Sequence, residues 1–202
     1  MEFRLTYRGP LASNGKPAEK HAIRKALHLQ LHELWRTDNH LRRWLDAGRL
    51  ENTIGIPDHA PPSMAEKIGG NYNIGPFHFV PLVSSEFGLA CSLDILFLRR
   101  DEIGNIVTHG GDIDNRIKTL FDALRTPKKW EEANKENPSP QELPLFFTLL
   151  EDDSLITDFR VEADRLLEPR AMLEPPDYVM LLIRAKTKII NYENAFMDMN
   201  FQ

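Results

Sequence analysis

Cysteine occurs once in the 202 residues, at Cys91. An internal disulfide is therefore excluded, and no Cys pair stands at the spacing a structural zinc site needs. Cys91 lies in an apolar, strand-like stretch, where a small buried hydrophobe is the expected role. The seven histidines are scattered, with His21, His28 and His32 in one helical stretch, and structural or surface roles are expected of them rather than metal ligation. Long apolar runs are also missing. The chain does not open on a basic start with an apolar core behind it, and Val179 to Ile183, the longest such run near the C-terminus, is far too short to cross a bilayer. The expectation is a soluble, cytoplasmic protein with no membrane partner. Internal repeats and heptads are absent as well.

Positive charge is in short supply overall. Lys and Arg number 25 against 30 Asp and Glu, a net charge of -5, which argues against a protein that coats nucleic acid without selectivity. The average conceals an asymmetry. Residues 1 to 50 hold ten Lys or Arg against five Asp or Glu, a balance of +5, whereas residues 131 to 177 hold four against thirteen, a balance of -9. A basic arm suited to phosphate thus coexists with an acidic lobe that bound cations would partly neutralise. Hydrophobic residues at 42% and charged residues at 27% suffice for an ordinary core, and the length suits one domain, residues 1 to 202, with insertions at about 48–76 and 125–150.

Glu2 to Tyr7 alternates in polarity and reads as a strand, closed by Gly9-Pro10. A helix is expected from about Glu19 to Trp35, with Ile23, Ala26, Leu27, Gln30, Leu31 and Leu34 on its core face. Its other face would carry Lys20, Arg24, Lys25, His28 and His32, as either a solvated surface or a phosphate-contacting one. A second helical piece is expected near Leu41 to Ala47. Residues 48 to 75 read as irregular, Phe77–Val83 and Leu89–Arg99 as a hairpin, and Lys128–Gln141 as disorder or a long exposed loop. Leu155–Val161 and Tyr178–Ile189 read as strands. The order strand, helix, hairpin, helix, strand, strand is an α+β pattern with one mixed sheet and helices packed on it.

The chemistry concentrates in two acidic clusters. From Gly110 to Leu124, Ile113, Ile117, Leu120, Phe121 and Leu124 recur at helical spacing, which leaves Asp114, Asn115, Lys118 and Asp122 on the opposite face and Asp112 at the helix start. The second cluster, Glu151-Asp152-Asp153, precedes a strand. Hard divalent cations take carboxylate and water oxygens, often beside substrate phosphate, so the two clusters together point to phosphodiester chemistry. Helix capping is the competing role for Asp112 and Asp114, but one cap needs one aspartate. For Lys118 the competing role is a surface ion pair with Asp114, and Asp122 is expected simply to face solvent.

Asp112-Ile-Asp114-Asn115-Arg116-Ile-Lys118 followed by Phe121-Asp122-Ala123-Leu124, and then Asp152-Asp153-Ser-Leu-Ile156-Thr-Asp158, resemble the two motifs of the RusA family of Holliday-junction resolvases. Pro10 to Asn14 is a fainter echo of a family turn. The resemblance is specific over residues 110–124 and 151–161 and topological elsewhere. It implies a RusA-like fold, a homodimer, and cleavage of branched DNA that depends on Mg2+ or Mn2+ during recombination or repair. Carried over by residue, the catalytic set is Asp112, Asp114, Asp153 and Lys118, with Asp152 a further metal ligand. Lys20, Arg24, Lys25 and Arg116 are the expected DNA contacts. The chain departs from the family in its two insertions and its acidity. Two alternatives are a RusA-like module that binds nucleic acid or protein without cutting, and a nuclease redirected to another nucleic acid.

Overall fold

The computed structural model describes residues 1–50, 62–99, 111–168 and 177–190, apart from the side chains of 47–50, 111 and 112. Along the chain lie β1 (Glu2–Pro10), α1 (Pro17–Thr37), α2 (Asn39–Leu50), α3 (Met64–Asn71), β2 (Asn73–Ile74), β3 (Phe77–Val83), β4 (Leu89–Arg99), α4 (Gly111–Leu124), β5 (Phe146–Leu150), β6 (Ile156–Arg165) and β7 (Tyr178–Ile189). Among the described residues the architecture is mixed α+β. No described helix is long and apolar enough to cross a membrane.

Two sheets replace the single one expected. The larger runs β1-β7-β4-β6, with β7 antiparallel to both β1 and β4 and with β4 parallel to β6. The smaller runs β2-β3-β5, with β3 parallel to β5. The expected hairpin of β3 and β4 does not form: the turn over Ser85–Gly88, closed by Leu89 N–H to Ser84 O at 3.0 Å, passes the chain from one sheet to the other. The burial of β3 carries the reason. Five of its seven residues from Phe79 to Val83 form an unbroken buried run, the mark of a strand covered on both faces, whereas β4 buries alternate residues from Cys91 to Phe97. Burial pushes the Cys91 thiol up to about 11, so it is an inert filler.

One hydrophobic cluster joins both sheets and the helices, with Leu5, Ile23, Leu31, Val80, Ile95 and Leu120 among its members. Helix α1 lies at its centre. Its buried stripe is rotated from the expected one and takes in His21, Arg24, His28 and Trp35. The cause is a third layer: residues 128–141, expected to be loose, fold into two 3-10 turns (Trp130–Ala133 and Pro140–Glu142) laid on α1. Gln30, expected in the core, instead seals the free edge of β1, its Oε1 accepting from Thr6 N–H at 2.9 Å and its Nε2 donating to Thr6 O at 2.6 Å. An edge strand covered in this way cannot recruit another chain there.

His28 joins α1 to β5. Phe147 N–H donates to Nδ1 at 2.9 Å and Nε2 lies 3.1 Å from Gln141 O, an arrangement met only by neutral imidazole with its proton on Nε2. Burial lowers its pKa. His21 is fully buried between Phe77 and Phe146, and burial, then the Arg24 and Lys25 cations, push it down to about 4. Between its ordinary value of 6.5 and about 4 the unfolded chain therefore binds a proton that the folded chain refuses. Stability is complete above the unfolded value and drains as pH falls through that window. A drop from pH 7 to 4.5 is expected to cost wild type about 2 kcal/mol more than His21→Leu, from urea unfolding at both pH values. Equal losses would contradict the assignment.

Candidate functional site

Helix α4 carries the first motif. Thr119, Leu120, Ala123 and Leu124 are buried, while Asp114 and Lys118 are exposed one turn apart on the opposite face, as the periodicity requires. Within the described residues the helix runs from Gly111 to Leu124, so Asp112 and Asp114 both lie on it. The Asp112 side chain lies outside the described residues. Asp114 and Lys118 do not pair with each other, which leaves the Lys118 ammonium uncommitted to that carboxylate.

The helix is held by its polar flank. Thr119 Oγ1 accepts from Gly15 N–H at 3.0 Å, and a Cβ at Gly15 would come within 2.6 Å of the Thr119 methyl, so only glycine fits that approach. Arg116 donates to Leu11 O at 2.6 Å. At the C-terminal end, where helix carbonyls lack intrahelical partners, Arg24 donates to Asp122 O at 2.8 Å, Arg125 O at 3.1 Å and Glu132 O at 3.4 Å. Asp122 is half-buried and bonds Lys20 Nζ at 2.6 Å, with Arg125 at 3.3 Å. Burial opposes its charge, yet the Lys20 and Arg125 cations outweigh burial and keep its pKa below the ordinary value. Asp122 is thus structural, as expected, but through ion pairs rather than by facing solvent.

These bonds revise the expected DNA contacts. Arg24 is 2% exposed and spent on backbone carbonyls, so it offers nothing to a phosphate at the surface. Lys25 is engaged by Glu136 and lies 3.6 Å from Glu142. Lys20 and Arg116 retain partial exposure, but each has an internal acceptor. The basic stripe of α1 is thus turned inward: Lys20 meets Asp122 of α4, Arg24 meets backbone carbonyls, and Lys25 meets the acids of the third layer.

The second motif follows β5 directly. Thr126 N–H bonds Leu150 O at 2.8 Å, which ties the end of α4 to the strand from which Glu151, Asp152 and Asp153 emerge. Glu151 turns away, accepting from Ser84 Oγ at 2.9 Å and from Ser85 N and Oγ at 2.8 Å each. Asp152 accepts from Ser154 N–H at 3.1 Å and Lys128 Nζ at 2.7 Å, and these bonds, Lys128 first, hold its carboxyl well below the usual range. Asp153 opens a 3-10 turn, Asp153–Leu155, that leads into β6 and packs on α4. Phe121 of α4 meets Phe159 of β6 edge to face at 5.2 Å. The two motifs therefore sit on neighbouring elements.

Among the described residues no three His, Cys, Asp or Glu side chains form a metal-sized cluster. Asp114 and Asp153 supply hard carboxylate oxygens of the type Mg2+ takes, while Asp152 is already engaged by Lys128. Sequence reading missed the Glu151–Ser84–Ser85 knot and the Lys128–Asp152 pair; the run of three acids beside Leu150 was the one available signal. No family model matches the chain, and no curated protein matches it by sequence.

Proposed function

We propose that the chain is a metal-dependent, structure-selective DNA endonuclease of RusA type that hydrolyses phosphodiesters in branched DNA and works as a homodimer. The observation that carries this reading is the meeting of α4, with Asp114 and Lys118 exposed on one face, and the turn that begins at Asp153. Capping alone would call for neither the lysine nor the second acidic turn. Asp114 and Asp153, with Asp112, would hold the divalent ion. When bound, such an ion polarises a phosphate and lowers the pKa of water toward roughly 7.

Lys118 would neutralise charge that builds on the phosphate oxygens, since its ammonium is not consumed by Asp114. Asp152 would keep Lys128 in place and brace the turn. Arg24, Lys20 and Thr119 act at a distance, by fixing the axis of α4. The substrate is tested by incubating the protein and Mg2+ with an end-labelled four-way junction, a fork, a linear duplex and a single strand. Paired cuts confined to the junction support a resolvase. Cutting of the other substrates at equal rate points to a redirected nuclease, and binding with no cutting to the module without catalysis.

A further inference from the structure

The two edges of the larger sheet differ. Gln30 seals the edge of β1, whereas at the other end no described strand follows β6. Leu166 N–H donates to Arg99 O at 2.7 Å, which fixes the parity of the ladder with β4. The peptide groups of Asp158, Arg160, Glu162 and Asp164 turn to β4, and those of Phe159, Val161 and Ala163 turn outward, where they meet no backbone partner among the described residues. Open edges are ordinarily blunted by proline, lysine, a bulge or a covering element. From Asp158 to Arg165, β6 contains neither proline nor lysine and keeps unbroken register with β4.

The two sides of this edge have different chemistry. Toward the core, Phe159 is 53% exposed against Phe121 of α4, and Val161 and Ala163 continue an apolar shelf that is only part-buried. On the outer side Asp158, Arg160, Glu162 and Asp164 are exposed. Arg160 donates to Glu162 at 3.2 Å, which leaves Asp158 and Asp164 without a cation among the described residues. We propose that this edge receives an extended segment of a different protein as a further strand, with apolar side chains on the shelf and basic ones opposite Asp158 and Asp164. Main-chain bonds to Phe159, Val161 and Ala163 supply the affinity, and the alternating side chains select the partner. A second copy of β6 fits badly, because antiparallel pairing about Val161 sets Asp158 against Asp164 twice. The same acids repel nucleic acid. Nor does the chain itself hold such a segment outside the described residues: 51–61, 100–110, 169–176 and 191–202 carry balances of -2, -1, 0 and -2. The inference does not rest on the nuclease reading, and it is tested without DNA or metal.

The probe is a fluorescein-labelled peptide of alternating valine and lysine, about nine residues long, titrated with the full chain in EDTA and read by fluorescence anisotropy. Saturable one-to-one binding is expected. Two N-methylated forms of the peptide separate strand pairing from charge: methyl groups on the valine amides block one of its edges, and those on the lysine amides block the other. One form should lose binding and the other keep it, since only one edge of the added strand faces β6. Val161→Pro removes an outward N–H without touching the β4 ladder and should weaken binding at least about tenfold. Asp158→Lys with Asp164→Lys alters only exposed side chains, so it tests the edge without a backbone change; it should weaken the lysine peptide by a similar factor and favour a valine–glutamate one. Absence of saturable binding would overturn the proposal, as would equal binding of both methylated forms or of the charge-reversed variant. Peptide-free dimers that Val161→Pro dissolves would give the edge to a second copy and overturn it as well.

Discussion

Asp114→Asn is expected to lower the single-turnover rate of junction cleavage by at least about a thousandfold while leaving the fold intact. The size follows from what the change removes. An exposed carboxylate in the first turn of a helix is worth only about 0.3–1 kcal/mol through the helix dipole, so stability should barely move. A ligand to a catalytic cation, by contrast, acts on the transition state, where several kcal/mol are at stake. Asp112→Asn and Asp153→Asn should behave alike, and Lys118→Met should cost about a hundredfold or more by withdrawing one cationic partner of the phosphate. Junction binding in metal-free buffer should survive all four changes. Stability loss with an unchanged rate would return Asp114 to a helix-supporting role.

Arg24→Ala is expected to cost about 3–5 kcal/mol, a large share of the roughly 5–15 kcal/mol that holds a domain together. The guanidinium is 2% exposed and satisfies the carbonyls of Asp122, Arg125 and Glu132 at once. Its removal leaves those acceptors dry and opens a cavity beside His21. Arg24→Lys keeps a cation but only one compact donor group, so it should fall between. Urea unfolding of both variants measures the effect. A loss below about 1 kcal/mol for Arg24→Ala would mean that water replaces the bonds and that the residue is not the clamp at the end of α4.

Local periodicity was legible and long-range pairing was not. The helical spacing of Ile117, Leu120 and Leu124 placed the core face of α4, and the bounds of β7 agree with the apolar run from Tyr178 to Ile189. The hairpin of β3 and β4 failed because a strand buried on both faces seeks partners at large sequence separation, and β5 was hidden in Phe146–Leu150, too short to declare its type. Arg24 and Lys25 were misjudged for a related reason. A cation on a helix looks solvent-facing until the acidic segment that covers it, here 130–142, is in view. The two acidic clusters stand out in the sequence by their own spacing and by the apolar periodicity around them; which of Glu151, Asp152 and Asp153 is already engaged depends on Ser84, Ser85 and Lys128, which no local pattern joins to them.

The most direct test of the central claim is the cleavage of an end-labelled four-way junction by the purified full chain, followed in Mg2+, in Mn2+ and in EDTA, with Asp114→Asn alongside. A metal-dependent nuclease gives paired cuts in either cation, none in EDTA and none from the variant. Cutting that persists in EDTA or in Asp114→Asn would contradict it, as would an intact junction in both cations.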